Sequence, residues 1–283
     1  MITIHGAEQF LLAKQFALLD RWYVQTLMPL YPRAADCILT PSETAREGLA
    51  QVLGVPLEKF VVTPEGAKDI FRERITPERL RQVRRKYELA GEFILHVGLI
   101  WGSKNFEVLP EVLELVNQRR PLLLVHAGKA ERWGEGQRIA SRFIRRTGFV
   151  PDEDLAALYQ SALALVFPSI YEGFGIPIVE ALASGCPVVT TNWGTMKEIA
   201  GDAALLVDAR KPQEIADAVL RLATDPALRQ ELQSRGLERA KRFTWQETAR
   251  LTLQAFRSLG DRPARTAGQT IGRRRLDERR GNQ

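Results

Sequence analysis

Leu163-Ala164-Leu165-Val166-Phe167-Pro168-Ser169-Ile170-Tyr171-Glu172-Gly173-Phe174-Gly175-Ile176-Pro177-Ile178-Val179-Glu180 reads as a strand, a glycine loop and the start of a helix. The run Leu163–Phe167 is apolar without polar alternation, so both of its faces need cover, as in a parallel sheet. Pro168-Ser169 ends the run, and Pro177 suits the first turn of a helix over 177–184. The same pattern repeats on either side. Phe93–Val97 runs into Gly98, and Leu122–Ala127 runs into Gly128. Pro187–Thr191 and Ala204–Val207 complete the set. Helical patterns at 105–117 and 152–161 separate them, and Pro212 opens another whose apolar face is Ile215, Val219 and Leu222. Strands alternating with helices across short loops predict a doubly wound α/β fold.

Working outward, Ile2–Ile4, Cys37–Leu39 and Lys59–Thr63 are short strand candidates at the front of the chain. Ser42 is placed to cap a helix after the second, and Pro64-Glu65-Gly66 ends the third as a turn. Pro77 can open a helix reading to about Leu89. Near the far end, Thr244 and Glu247 form a T-x-x-E capping box ahead of Trp245, Ala249, Leu253 and Phe256 at helical spacing.

The chain has 283 residues, 45% of them hydrophobic and 26% charged. This excludes fibrous and wholly disordered chains and points to about two domains. The net charge is +6, and +4 of it lies in residues 261–283, which hold seven Arg and three acids. The rest of the chain therefore carries only +2, too little to argue for a nucleic-acid partner. The segment 260–283 is rich in Gly and Arg and predicts a disordered tail that could touch anionic lipid headgroups. Cys37 and Cys186 are too few for a disulfide framework and read as small buried residues. No apolar run is long enough to span a bilayer, and MITIHGAEQF does not resemble a signal peptide. These features predict a cytoplasmic protein, with the inner membrane face as a peripheral option.

Two segments carry chemistry. In the loop Tyr171–Ile176 the glycines leave amides bare at a helix mouth, which suits phosphate. Glu172 and Glu180 can accept from sugar hydroxyls. The residues alone leave two readings open: a nucleotide-sugar cradle, or a G-x-G turn whose acids complement the helix dipole. In Val97–Asn105, Lys104 is read at a helix mouth, where it opposes the dipole unless an anion is present; a solvated lysine is the alternative. His96 and His126 end two strands and read as buried, hydrogen-bonded residues. Asp152-Glu153-Asp154 reads as dipole-complementing acids at a helix start, not as a metal site. Trp101 and Trp193 are read as loop residues, either stacking on sugar or packing locally.

YEGFGIPIVEALASGCPVV, residues 171–189, resembles the E-x7-E signature of the retaining GT-B glycosyltransferases, group 1 and family 4. The resemblance runs from Ile2 to Leu259 through TIHG, CILTPSE, VVTPEGA, HVGLIWGSKN, RRTGFVPDEDLAALYQSA, VFPSIYEGFG and GDAALLVD. It implies a hexosyltransferase that uses a nucleotide-diphosphate sugar and a glycan or lipid-linked acceptor, with no bound cofactor and no required metal. Catalytic roles fall to Glu172 on the donor sugar, Lys104 on the diphosphate and His5 facing the sugar from the opposite domain. Donor binding falls to Glu180 at the ribose, to the amides of Gly173, Phe174 and Gly175, and to Gly98. Gly148, Phe149 and Val150 line the base. The resemblance also implies a partial N-terminal Rossmann-like domain at 1–70, a complete donor domain at 71–243 and a helix at 244–259 that crosses back onto the first domain.

Two departures matter. Family members usually carry Arg after the VG pair, or a basic residue before the lysine; here these are Leu99 and Ser103. A second cation would then have to come from Lys129 or from the first domain. The chain also opens at TIHG, well inside the family's first domain, and three short strands do not cover their own faces. The expectation is a truncated, mis-started or split enzyme. A rival is a nucleotide-sugar-binding subunit that needs a partner chain for transfer. A dinucleotide oxidoreductase would need G-x-G-x-x-G after an early strand, and none follows Ile2–Ile4, Phe93–Val97 or Leu122–Ala127.

Overall fold

The computed structural model describes residues 1–11, 18–100, 102–129 and 141–260. The expectations for Trp101 and for the tail at 261–283 lie outside these residues.

Two parallel sheets organise the chain. The smaller has the order β1-β2-β3, from Ile2–Thr3, Ile38–Thr40 and Phe60–Val62. Between β1 and β2 lie α1 (Glu8–Leu11), α2 (Leu18–Thr26) and α3 (Leu30–Ala34). Helix α4 (Glu43–Leu53) follows β2, and Ser42 caps it by accepting from the Ala45 amide at 3.0 Å. Leu49 and Leu53 of α4 pack with Ile38 and Phe60 against one face of this sheet.

Helix α5 (Pro77–Lys86) leads into the larger sheet. It ends before the expected Leu89 because Glu88 turns left-handed at φ 55° and the Leu89 amide donates back to the Arg84 carbonyl. The larger sheet contains β4 (Phe93–Val97), β5 (Leu123–Ala127), β6 (Ile144–Gly148), β7 (Leu165–Phe167), β8 (Val188–Thr191) and β9 (Leu205–Val207). All pairs are parallel, in the order β6-β5-β4-β7-β8-β9. The strand order reverses between β4 and β7, where open α/β sheets place ligands.

The crossover helices are α6 (Leu109–Asn117), α7 (Asp152–Ser161), α8 (Ile176–Ala183) and α9 (Gly194–Ala200), and α10 (Pro212–Thr224) and α11 (Pro226–Ala240) follow the last strand. Alternate strand residues serve opposite faces. Ile94, Leu124, Val166 and Val189 pack with α6 and α10, whereas Leu95, Val125, Leu165 and Val188 pack with α7, α8 and α9. Both faces are covered, as the unbroken apolar runs required.

Several expectations need correction. The segment 105–117 is not one helix: Asn105 is left-handed at φ 53°, so short 3-10 turns cover Gly102–Lys104 and Phe106–Val108, and α6 begins at Leu109. Strand β6 has the sequence IRRTG and sits at the sheet edge, where half-exposed polar residues hide it from a search for apolar runs. Helix α11 was also unforeseen, because few of its residues are buried.

Helix α12 (Trp245–Gly260) extends one residue beyond the expected end. Its capping hydroxyl is in place, with the Glu247 amide donating to Thr244 Oγ1 at 3.2 Å. Ala255 and Leu259 pack on Cys37, Leu39 and Val61, so this helix covers the second face of the small sheet. Cys37 and Cys186 are both buried and form no disulfide. No described helix is long and apolar enough to cross a membrane.

Candidate active site

The two sheets meet along their carboxyl-end loops. Gly173 approaches so closely that a Cβ there would fall 1.9 Å from the His5 carbonyl oxygen. Ser42 Oγ donates to the Gly173 carbonyl at 2.8 Å, and the Ala7 amide donates to Tyr171 Oη at 2.7 Å. Glu198 of α9 accepts from the Glu43 and Thr44 amides and from Thr44 Oγ1 at 2.7–2.9 Å, so a carboxylate from the large-sheet unit caps α4.

A cavity of about 530 Å³ opens at this seam. It brings together His5, Lys104, Glu172, Gly173, Phe174 and Gly175, six of the residues expected to act on the donor. Lys104 Nζ donates to Glu172 Oε1 at 2.6 Å, and the two side chains are only 22% and 12% exposed. The ammonium also lies 5.5 Å from the centre of the Phe167 ring. Lys104 therefore closes a 3-10 turn and does not stand at the mouth of a helix. Its charge is met by Glu172, so the dipole argument for an anion at that point falls away. Gly175 takes φ 101° at the start of α8, a conformation that glycine adopts without strain. The Phe174 ring packs in the core, edge-on to Phe243 at 5.8 Å.

Gly98, Val150 and Glu180 are not among the described residues that line this cavity. Gly98 (φ 128°) packs against Gly128, whose amide donates to the Gly148 carbonyl at 2.9 Å, so three loop glycines cluster where β4, β5 and β6 end. Val150 is buried beside them. Glu180 accepts from Tyr159 Oη at 3.0 Å. Burial is the main reason its carboxyl is pushed up to about 7, with Asp152 adding to the rise and Tyr159 and Lys68 opposing it.

His126 Nε2 donates to the Gly98 carbonyl at 2.9 Å, as expected for a buried histidine. His96 departs from that expectation. Neither of its ring nitrogens has a partner among the described residues, and it packs between Phe106, Phe167 and His126. Burial drives its pKa well below the usual range, so the ring is neutral. Asp154 takes Arg79 and Lys86 at 2.6 Å and Tyr87 at 2.9 Å, a structural ion-pair node. Trp193 Nε1 donates to the Ile170 carbonyl, and Arg210 stacks on its ring at 4.9 Å, which is local packing. Leu99 is 49% exposed, and Ser103 Oγ is buried against the Glu8 carboxylate. No described group of three His, Cys, Asp or Glu converges as a metal site.

Sequence reasoning missed Glu8, Gln9, Met28 and Glu65, which also line the cavity. Glu65 lies 60 residues from His5, with Oε1 2.8 Å from the ring Nδ1. Its P-E-G context signalled only a turn.

Residues 91–225 match the family described as Glycosyl transferases group 1. The chain is 32% identical over 245 residues to O-antigen chain mannosyltransferase B of Escherichia coli, covering 80% of this chain and 61% of that protein. It is 30% identical over 234 residues to D-inositol 3-phosphate glycosyltransferase of Paenarthrobacter aurescens, covering 77% and 56%. The chain thus spans about three fifths of these two relatives, and 29% of a third, the mannosyltransferase WbdA of Escherichia coli. Among solved structures, a glycosyltransferase from Rickettsia africae superposes with a TM-score of 0.75 at 20% identity, covering 93% of this chain and 71% of that one. Anabaena HepE in complex with UDP-glucose gives 0.74 at 19%, covering 92% and 71%. These likenesses establish the GT-B fold.

Proposed function

We propose that this chain, whose residues 91–225 belong to the group 1 glycosyltransferases, moves a hexose from a nucleotide-diphosphate sugar to a glycan hydroxyl with retention at the anomeric carbon. The observation that carries this reading is the Lys104–Glu172 pair, set in a cavity between two sheets and beside the bare backbone of Gly173–Gly175.

The chemistry follows from charge. As the bond between the anomeric carbon and the diphosphate oxygen breaks, negative charge grows on the leaving group and positive charge on the sugar. Lys104 is a preorganised cation for the first, which is electrostatic transition-state stabilisation. Diphosphate competes with Glu172 for the ammonium, and Glu172 then accepts from sugar hydroxyls near the developing positive charge. The amides of Gly173–Gly175 meet the sugar and phosphate. His5 faces the sugar from the opposite wall. Glu180 holds the ribose, and Gly98 and the Gly148–Val150 loop line the base. The acceptor hydroxyl then forms its new bond to the anomeric carbon on the face the diphosphate leaves, and its proton passes to the departing diphosphate oxygen.

This reading divides the chain into an acceptor-side unit at 1–70, a donor-binding unit at 71–243 and a returning helix from Trp245. Support for the division comes from the packing of Ala255 and Leu259 on the small sheet. Support for mannosyl transfer comes from the relatives: Escherichia coli O-antigen chain mannosyltransferase B and the mannosyltransferase WbdA both match over 80% of this chain.

The test is a thermal-shift screen of UDP-, GDP- and ADP-sugars, followed by transfer of radiolabelled sugar by the purified chain. A donor at one hundred times its Kd stabilises the fold by about 2.7 kcal/mol. One nucleotide class should raise the melting temperature and support transfer. No shift with any of the three, together with no transfer, refutes the reading.

A further inference from the structure

His5 and Glu65 form a pair that nothing in the E-x7-E pattern assigns. The His5 ring is 74% exposed at the cavity, whereas the Glu65 side chain is only 12% exposed. A carboxylate can only accept, so the 2.8 Å contact places a proton on Nδ1, and in the neutral ring Nε2 keeps its lone pair.

The backbone that carries Glu65 is itself fixed. A Cβ on Gly66 would fall 2.4 Å from the Trp245 amide nitrogen and 2.6 Å from the Thr244 carbonyl carbon. Thr248 Oγ1 of α12 donates to the Pro64 carbonyl. The turn Pro64-Glu65-Gly66 is therefore held against the start of α12, with room there for glycine alone. A chain of contacts runs from α12 through this turn and Glu65 to the ring of His5.

We propose that Glu65 is the positioning residue for His5. Its carboxylate fixes the ring's tautomer and direction, so that Nε2 is presented as an acceptor to a hydroxyl of the sugar in the cavity. Glu65 itself touches no substrate and acts through the histidine. The inference rests on the reading of His5 as a residue that meets the donor sugar.

The chain has three histidines, so their ring nitrogens are separable in a 15N-histidine-labelled sample. Two measurements follow. First, 15N NMR should show His5 as the Nδ1–H tautomer in the wild type and in E65Q, because glutamine keeps an acceptor oxygen at the same reach. In E65A the ring should revert to a tautomer mixture. Second, transfer kinetics should show kcat falling roughly tenfold in E65A with donor KM little changed, and recovering in E65Q. Added to H5A, E65A should cause no further loss.

A wild-type ring protonated on Nε2 overturns the proposal without recourse to any variant. So does an E65A loss that multiplies fully with that of H5A, or an E65Q as damaged as E65A. Failure of the underlying reading has a different signature: no nucleotide sugar binds or transfers in the wild type, whatever the tautomer.

Discussion

Lys104 and Glu172 neutralise each other at 2.6 Å inside a largely shielded cavity, so removing either strands the other's charge. That coupling shapes the mutant pattern. Glu172→Ala should cut kcat by at least about 100-fold with little change in nucleotide affinity, because on the proposed reading the lost contact is to the sugar at the reacting centre. Lys104→Ala should lower both kcat and donor affinity, since on the proposed reading its ammonium meets the diphosphate before and during bond cleavage. Steady-state kinetics with direct donor titration checks both, and equal, negligible effects would refute the assignment. Glu180 supplies a pH prediction. Burial raises its carboxyl to about 7, so the group is neutral at pH 5.5 and ionised at pH 8.5. If Glu180 holds the ribose as proposed, the ribose hydroxyls donate better to the ionised form, so donor affinity should rise with pH through about 7. The same raised pKa makes the native state bind more protons than the unfolded chain between about 4.5 and 7. Its contribution to stability therefore falls as pH rises across that window. Glu180→Gln should flatten both profiles, as read by calorimetry and thermal melts. A pH-dependent donor affinity that survives in the glutamine variant would reassign the titration.

At the level of elements, the seam between the sheets is made by helix ends. The first turn of α4 donates two amides and a hydroxyl to Glu198, while Ser42 both caps that helix and reaches the Gly173 carbonyl. Glu198→Ala strips an acceptor from two N-terminal amides and should cost about 1–2 kcal/mol, a few degrees in melting temperature. An unchanged melting temperature would show that water replaces the carboxylate without cost. The apolar runs at Phe93–Val97 and Leu122–Ala127 were legible because a central parallel strand is buried on both sides. The helix-start acids at 152–154, the Ser42 cap and the Thr244 hydroxyl cap were legible because local chemistry governs them, although the Glu247 carboxylate pairs with Arg250 and does not close the expected box. Strand β6 was not, because an edge strand tolerates Arg145 and Arg146. The break at Asn105 was hidden as well, since one left-handed residue leaves no mark on hydrophobic periodicity. The Glu198 cap and the Glu65–His5 pair were invisible for another reason: each joins residues 60 or more positions apart, and only the folded seam brings them together.

Across the whole molecule, the cavity has two walls of different chemistry. The large-sheet unit supplies Lys104, Glu172 and the glycine backbone, whereas the small-sheet unit supplies Glu8, Gln9, His5 and Glu65. The cations among the described lining residues are already engaged: Lys104 with Glu172, and His5, when protonated, with Glu65. Glu8 is held by Ser103. The wall that would meet the acceptor is thus rich in hydrogen-bond acceptors and poor in positive charge. On the proposed reading, such a wall would suit a neutral polyhydroxylated acceptor. An acceptor bearing its own phosphate would face carboxylates without a spare counter-charge, and like charges a few ångströms apart near a protein surface repel by about 1–4 kcal/mol. The relatives include both O-antigen chain mannosyltransferase B and D-inositol 3-phosphate glycosyltransferases, so the distinction is testable. With one labelled donor, neutral manno-oligosaccharides should be used at least about tenfold better in kcat/KM than inositol 3-phosphate. Glu8→Gln keeps the oxygen that accepts from Ser103 and removes one charge, so it should narrow that ratio while leaving transfer to the neutral acceptor nearly unchanged. Equal use of both acceptors by the wild type would show that this wall does not select by charge. A ratio unmoved by Glu8→Gln would shift the selection to Glu65 or to the sugar-facing side of the cavity.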